Sequence, residues 1–198
     1  MADGQLQTCR MKKWTDVYIG LGSNAGNRRR NLLRAEEELK KNARVRFEKS
    51  SRIYETSPLG PKQRNFYNSV IKIRAALSPI DLMSFFKKIE QKLGRKKTFL
   101  WGPRTIDLDI IFYGSRKIRS EALTIPHPEF QGRKFVLRPL CDVAPRLVPA
   151  GFEKTVSKLL AELTDPNQRV RLVRPGICIR SRHSTNDAGL FSPQKARP

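Results

Sequence analysis

Hydrophobic residues recur along this chain with two different spacings. A period of two, which is typical of strands, covers residues 17–22, 45–54, 66–73 and 106–111. A spacing of three to four residues, which is typical of a helix with one buried face, covers residues 27–42 and 79–93. The pattern therefore predicts four strands and two long helices, in the order strand, helix, strand, strand, helix, strand.

Both helices carry recognisable ends and buried faces. Ser23 or Asn24 is expected to cap the first helix, and Ser78 followed by Pro79 is typical of the start of the second. The predicted buried faces are Leu32, Leu33, Ala35 and Leu39 on the first helix, and Leu82, Phe85, Phe86, Ile89 and Leu93 on the second.

The βαββαβ order predicts an α+β fold with a ferredoxin-like core, in which a mainly antiparallel sheet is packed with helices. Ile118 with its neighbours predicts a short edge strand, and residues 135–141 and 155–163 predict short helices that close the domain. We expect a loose lead over residues 1–14, one domain over residues 15–163 and a basic, disordered tail over residues 164–198, where only one aromatic residue occurs.

The composition narrows the class of protein. The chain has 198 residues, of which 40 are Lys or Arg and 18 are Asp or Glu, so its net charge is +22. Such an excess indicates a polyanionic partner, either a nucleotide or a nucleic acid. No apolar run approaches the roughly 18 residues that a membrane span needs, so we expect no membrane association. The three cysteines, Cys9, Cys141 and Cys178, are too scattered for a zinc site or a disulfide framework. This cysteine pattern predicts a cytoplasmic location for the protein.

Candidate chemistry lies in the fourth strand. Asp107 and Asp109 alternate with Ile106, Leu108 and Ile110, so both carboxylates are expected on one face of the strand. Two carboxylates roughly 6.5 Å apart repel one another unless a cation lies between them. Mg²⁺ suits such a pair, because it binds one or two carboxylates together with substrate phosphates. Arg104 would place a phosphate-binding guanidinium beside the pair.

Two simpler interpretations stay open at this point. Asp-x-Asp also occurs as a solvated pair on half-exposed strands, although the Trp-Gly-Pro-Arg run immediately before it favours a functional pair. Gly20, Gly22 and Gly26 suggest a dinucleotide-binding fingerprint, but their spacing does not fit one, and tight turning with close backbone packing explains them better.

Several runs of residues resemble one family. W-G-P-R-T-I-D-L-D-I-I at residues 101–111, G-L-G-S-N-A-G at 20–26, T-S-P-L-G-P at 56–61 and P-H-P at 126–128 are similar to motifs of the 6-hydroxymethyl-7,8-dihydropterin pyrophosphokinases. The resemblance covers about residues 15–163. It implies an ATP-dependent diphosphotransferase of folate biosynthesis, which transfers pyrophosphate from ATP to the pterin and releases AMP. It also implies ATP as co-substrate and two Mg²⁺ ions. We expect the protein to be a monomer.

The resemblance also assigns residues to roles. Catalysis falls to Arg95, Arg104, Asp107 and Asp109, and the two aspartates hold the metal ions. The pterin is expected to contact Thr56, Ser57, Leu59, Phe66, Asn68, Trp101 and Phe135. The nucleotide is expected to contact Glu90, Lys97, Ile110, His127 and Arg133. Leu100 departs from the family, which commonly has a charged residue there.

An alternative from a different class is a non-catalytic RNA-binding protein on the same scaffold, driven by the basic charge. RNA-binding sheets of this shape present exposed aromatic residues in a basic motif on a central strand. The sequence contains no such motif, and two strand acids without a metal would repel a phosphate backbone. We therefore expect only non-specific binding to nucleic acid.

Overall fold

The structure, a computed structural model, describes residues 13–96 and 102–173. Its helices are α1 (Arg28–Lys40), α2 (Pro79–Lys92), α3 (Lys134–Val143) and α4 (Val156–Glu162), with a 3₁₀ turn at Phe130–Gly132. Its strands are β1 (Thr15–Ser23), β2 (Val45–Ser50), β3 (Tyr54–Thr56), β4 (Phe66–Ala75), β5 (Asp107–Tyr113), β6 (Ile118–Arg119), β7 (Thr124–Ile125) and β8 (Val170–Leu172).

Six strands form one sheet in the order β5-β1-β4-β3-β8, and β2 pairs with the same edge of β4 as β3 does. Every pairing in this sheet is antiparallel. Strands β6 and β7 form a separate hairpin around Ile118. The predicted α+β class with an antiparallel, helix-packed sheet is confirmed.

The two faces of the sheet pack against different helices. Helices α1 and α2 cover one face with the main core, whose members include Ile19, Leu39, Ile73 and Phe86. Helices α3 and α4 cover only part of the other face, where Phe112 and Phe130 meet with ring centroids 4.9 Å apart. The uncovered part of this second face is open to ligands.

Three local predictions differ from the structure. The single strand expected over residues 45–54 is two strands, because the Ser51 hydroxyl accepts the Val70 N–H at 2.9 Å in place of a regular ladder partner. Leu33 is exposed on α1 and does not join its buried face. The cap of α1 is Asn27, whose side chain accepts the Arg30 N–H, whereas Ser23 and Asn24 bind elsewhere.

The expected boundary of the tail also differs from the structure. Residues 164–173, here called the C-terminal segment, contain β8, which pairs Tyr54 with Leu172 and Thr56 with Val170. A three-residue strand on a sheet edge has no periodicity of its own, so its composition suggested a tail. Residues 174–198 and most of the expected N-terminal lead lie outside the described residues. Among the described helices, none is long and apolar enough to cross a membrane.

Candidate active site

The open part of the second sheet face is the floor of a cleft of about 370 Å³. Strand pairing places Asp107, Gly22 and Asn68 in one row across β5, β1 and β4. The next row holds Asp109, Gly20 and Val70. Neighbouring strands are about 4.8 Å apart, so roughly 10 Å of sheet separates the first carboxylate from the amide. The central strand contributes no side chain between them, which leaves a flat surface for a ligand.

Gly22 is needed for this arrangement. A Cβ at this position would lie 3.0 Å from the Asn68 Oδ1, closer than ordinary van der Waals contact. Asn68 is buried, and its amide nitrogen donates to the Thr56 hydroxyl at 2.7 Å. That bond fixes which way the amide points, and it leaves the carbonyl oxygen towards Gly22.

The two carboxylates of β5 have different surroundings. Asp107 pairs with Arg95 at 2.8 Å and with Arg104. Asp109 has one open side, and no ion pair reaches it within residues 13–96 and 102–173. Desolvation in the cleft and the nearby charge of Asp107 raise the pKa of Asp109 to about 6 from its ordinary 3.8. Such a pair favours a cation, and its two oxygen-donor groups fit the few protein ligands that Mg²⁺ takes beside phosphates.

Glu90 lies behind this pair, on α2, and its side chain is 2% exposed. One of its carboxylate oxygens accepts the Leu108 N–H at 2.9 Å, and the other pairs with Arg95 and, at 3.2 Å, with Lys87. Burial alone would lower the pKa of Arg95, but Asp107 and Glu90 outweigh it and raise that pKa. Glu90 therefore fixes both the strand that carries the aspartates and the guanidinium that faces them.

The segment before β5 is bound to the end of β1. The Asn24 side chain accepts the Arg104 N–H at 2.7 Å, and the Asn24 N–H donates to the Arg104 carbonyl at 3.0 Å. Ser23 and Asn31 both donate to the Thr105 carbonyl, at 2.6 and 2.9 Å. These bonds hold Arg104 over the cleft by its backbone, so its side chain is free to exchange partners.

His127 is positioned through a bulge in β5. Ile110 pairs with Ile19 and Phe112 with Tyr18, so Ile111 has no partner on β1. The Ile111 carbonyl accepts the His127 N–H at 2.9 Å. Burial, and to a lesser extent Arg133, lower the pKa of His127 to about 4, so its imidazole is neutral near pH 7. Because Nδ1 accepts the Glu129 N–H, the ring proton lies on Nε2, which makes that nitrogen a hydrogen-bond donor.

The start of α3 and the loop after β3 form the walls of the cleft. Arg133 and Phe135 project from the helix start, where burial lowers the pKa of the guanidinium. Arg133 pairs with Glu129. On the other side, the backbone of Ser57 donates to the Arg169 carbonyl at 3.2 Å. The wall thus combines the predicted pterin loop with residues of the C-terminal segment.

The structure brings most of the predicted site residues together in this cleft. Its lining includes Thr56, Ser57, Leu59, Phe66, Asn68, Arg95, Arg104, Asp107, Asp109, His127, Arg133 and Phe135. Two predicted residues are placed differently. The Glu90 side chain is beneath the cleft, and the Ile110 side chain is in the opposite core because it alternates with the aspartates, so only its backbone could meet a ligand. Trp101 and Lys97 lie outside the described residues.

Other lining residues were not predicted. Lys87 lies one helical turn before Glu90, a spacing that places both on one face of α2. Nothing in the sequence distinguishes this lysine from the others of a strongly basic chain. The sequence alone explains Gly20 and Gly22 as packing residues. Their role depends on what lies on the two neighbouring strands, which strand pairing alone reveals.

Several known proteins are similar to this chain in sequence. The sequence model of the family described as 7,8-dihydro-6-hydroxymethylpterin-pyrophosphokinase (HPPK) matches residues 18–145. A Synechocystis protein named 2-amino-4-hydroxy-6-hydroxymethyldihydropteridine pyrophosphokinase is 42% identical over 147 residues, which are 74% of this chain and 75% of that protein. A protein of the same name from Aquifex aeolicus is 39% identical over 149 residues, 75% of this chain and 92% of that protein.

Solved structures agree at the level of the fold. A crystal structure of HPPK-DHPS in complex with substrates superposes with a TM-score of 0.62 at 14% identity, over 75% of this chain and 43% of that one. A Plasmodium falciparum HPPK-DHPS structure gives a TM-score of 0.64 at 14% identity, over 84% of this chain and 50% of that one. The chain therefore spans about half the length of these solved relatives.

Proposed function

Because the chain belongs to the 7,8-dihydro-6-hydroxymethylpterin-pyrophosphokinase family, we propose that the cleft binds the pterin over Asn68 and the triphosphate of ATP over the two aspartates. The family reaction is an ATP-dependent pyrophosphoryl transfer in folate biosynthesis. Its products are AMP and the pterin pyrophosphate. Between Asn68 and Asp107, strand β1 contributes only Gly22, which has no side chain. The assignment of the two ends of the cleft rests on this observation.

The pterin end offers polar groups at fixed positions. The Asn68 amide, held by Thr56, provides an oriented acceptor for the edge of a flat heterocycle. Phe66 and Phe135 contribute aromatic surface to the same end of the cleft. A pterin lying on Gly22 would rest with one face on the flat surface of the sheet. This arrangement favours a planar bicyclic ring over a bulky substrate.

The phosphate end offers charge. Asp107 and Asp109 would hold Mg²⁺, and the bound metal would neutralise the developing negative charge on the phosphates. The side chains of Arg95, Arg104 and Arg133 supply cations at the same end, and the neutral His127 supplies an Nε2–H donor. Catalysis would then come mainly from positioning and electrostatic stabilisation, because phosphoryl transfer requires little other chemistry from the protein.

Arg95 and Arg104 both pair with Asp107 in the structure. A phosphate group matches a guanidinium at least as well as a carboxylate does, and it can be bound at two points. We propose that both arginines turn from Asp107 to the triphosphate when ATP enters. The aspartate would then be available to a metal ion at the moment when the phosphates arrive.

Incubation with ATP, Mg²⁺ and 6-hydroxymethyl-7,8-dihydropterin tests the proposal through the nucleotide product. The expected product is AMP in equal amount to the pterin pyrophosphate. A matched reaction without the pterin controls for hydrolysis of ATP. Release of ADP, or formation of AMP that does not depend on the pterin, would contradict the proposal.

The alternative of a non-catalytic RNA-binding protein has no support from the related proteins, whose names are those of pyrophosphokinases. A monomeric state, a cytoplasmic location, the use of two Mg²⁺ ions and non-specific nucleic-acid binding stay predictions.

A further inference from the structure

The C-terminal segment contacts two separate walls of the cleft. Its Gln168 side chain is 9% exposed and uses both ends of its amide. The oxygen accepts the Lys134 N–H at 2.7 Å, and the nitrogen donates to the Gly132 carbonyl at 2.8 Å and to Asp165 at 3.0 Å. Residues 132–134 are the junction at which the 3₁₀ turn ends and α3 begins.

This junction lacks a cap of its own. Arg133 occupies the N-cap position of α3 and makes no side-chain capping bond. The first N–H groups of a helix have no partners within the helix and are usually satisfied by a nearby Ser, Thr, Asp or Asn. Here Gln168, 34 residues further along the chain, takes that role for Lys134. The residues on either side of Lys134 are Arg133 and Phe135, which both line the cleft.

The same segment holds the facing wall. The Ser57 hydroxyl donates to the Asn167 carbonyl at 3.1 Å, and the Ser57 N–H donates to the Arg169 carbonyl at 3.2 Å. Strand β8 then continues the sheet beside β3, which carries Thr56. One short run of chain thus joins the loop at Ser57 to the start of α3. It lies beyond residue 145, where the family match ends.

We propose that Gln168 is a positioning residue for the pterin end of the cleft, and that the C-terminal segment is part of the catalytic domain. The inference rests on the proposed function, because that function assigns Phe135 and the loop at Ser57 to the pterin. Gln168 does not touch substrate. Its hydrogen bonds set the direction of the Arg133–Phe135 backbone. Together with the bonds of its neighbours to Ser57, they also fix the distance between that backbone and the loop at Ser57.

The test compares Gln168→Ala with Asp142→Asn, a variant that loosens the other end of the same helix. Asp142 accepts hydrogen bonds from Arg52 and Tyr54 and does not line the cleft. In Gln168→Ala, the loss of the cap is expected to raise the KM for the pterin about tenfold, which is the effect of roughly one hydrogen bond. In Asp142→Asn, the stability falls and the pterin KM changes less than about twofold. Gln168→Glu is expected to raise the KM at least as much as Gln168→Ala, because its second carboxylate oxygen would face the Gly132 carbonyl and the Asp165 carboxylate, which both accept from the wild-type amide nitrogen.

Two results would overturn the inference. One is a pterin KM in Gln168→Ala equal to that of wild type. The other is an equal rise in KM in both variants, which would mean that Gln168 contributes only general stability. Hydrogen exchange at the Lys134 amide provides a second measurement that needs no substrate, and its protection should fall in Gln168→Ala and persist in Asp142→Asn. If wild-type protein forms no AMP, the proposed function fails, while the exchange measurement still decides whether Gln168 orders the start of α3.

Discussion

Single residues in the cleft differ in how far their neighbours satisfy their charge. Asp107 has two arginine partners, whereas Asp109, two residues along the same strand face, has an open side and a raised pKa. The negative charge of Asp107 is therefore stabilised by direct ion pairs, whereas at Asp109 desolvation and the charge of Asp107 outweigh the attraction of Lys87 and Arg104. The two substitutions should consequently have different effects on folding, although both should impair catalysis.

Asp109→Asn should lower turnover by roughly two to three orders of magnitude, because it removes negative charge at the proposed metal site. Without metal the same variant should be more stable than wild type near pH 8. A raised carboxyl pKa means that the folded state binds more protons, so wild-type stability is lost as the pH rises from about 3.8 through about 6. The gain from Asp109→Asn should therefore vanish near pH 4. Urea unfolding of both proteins in EDTA at pH 8 and at pH 4 measures the difference in their free energies of unfolding. A difference at pH 4 as large as that at pH 8 would contradict the explanation.

His127 should stay neutral through the physiological range. Its lowered pKa means that protonation favours the unfolded chain, so it costs stability as the pH falls from 6.5 towards 4. NMR of the two histidines should show one Hε1 resonance that is constant from pH 8 to 5.5 and moves with a midpoint near 4. His127→Gln assigns it by its disappearance. A midpoint near 6.5 for that resonance would show that the cleft does not lower the pKa of His127.

Much of the cleft could be predicted from single residues. Alternation in β5 was enough to place both aspartates on one face, and family resemblance added the arginines, Asn68 and Phe135. The position of Glu90 beneath the cleft could not be predicted, because its partners Leu108 and Arg95 lie on different elements. Periodicity describes one element at a time, and buried ion pairs depend on how elements pack.

At the scale of elements, helix α3 depends on distant parts of the chain at both ends. Gln168 caps its start, and Asp142 near its end accepts bonds from Arg52 at 2.9 Å and from Tyr54 at 2.9 Å. Pro139 inside the helix removes one internal hydrogen bond. The sequence therefore predicted the helix but not its anchors, and it missed β8 because strand pairing at an edge joins residues more than a hundred positions apart.

Asp142→Asn should destabilise the fold by about 1–3 kcal/mol at pH 7, because it weakens a charged hydrogen-bonded cluster. Burial alone would raise the pKa of Asp142, but bonds from Arg52 and Tyr54 outweigh it and lower that pKa. The stabilisation is present above the unfolded value of 3.8 and is lost as the pH falls through the lower folded value. Chemical denaturation at pH 7 and pH 3 should therefore show a difference that shrinks with acid. A difference that is independent of pH would assign the effect to packing.

At the scale of the whole molecule, the basic charge and the catalytic cleft are separable. Residues 174–198 carry five Arg or Lys residues and one acid, Asp187, so they contribute +4 of the net +22. None of the residues assigned to the cleft lies among them. The remaining charge is spread over the domain, where acids on β5 face the cleft.

Truncation after Val173 should leave pyrophosphoryl transfer unchanged and weaken non-specific nucleic-acid binding. The log–log salt slope should decrease by about 0.9 for each DNA phosphate that the shortened protein no longer neutralises. Truncation after Leu163 also removes Gln168 and β8, and it should reduce transfer as well. Steady-state kinetics and salt-dependent DNA binding measure the two properties on the same samples. Full activity in the shorter protein would exclude the C-terminal segment from the domain.

The bulge at Ile111 bears on insertions and deletions in this part of the chain. Ile110 and Phe112 already face consecutive residues of β1, Ile19 and Tyr18, so the sheet would keep its register on both sides if Ile111 were absent. A deletion at this position would cost the packing of one isoleucine and the acceptor that holds the His127 backbone. The extra residue in β5 thus serves the cleft more than the sheet. Among related chains, a one-residue gap here would mark a protein that keeps the fold but has lost the fixed position of its histidine.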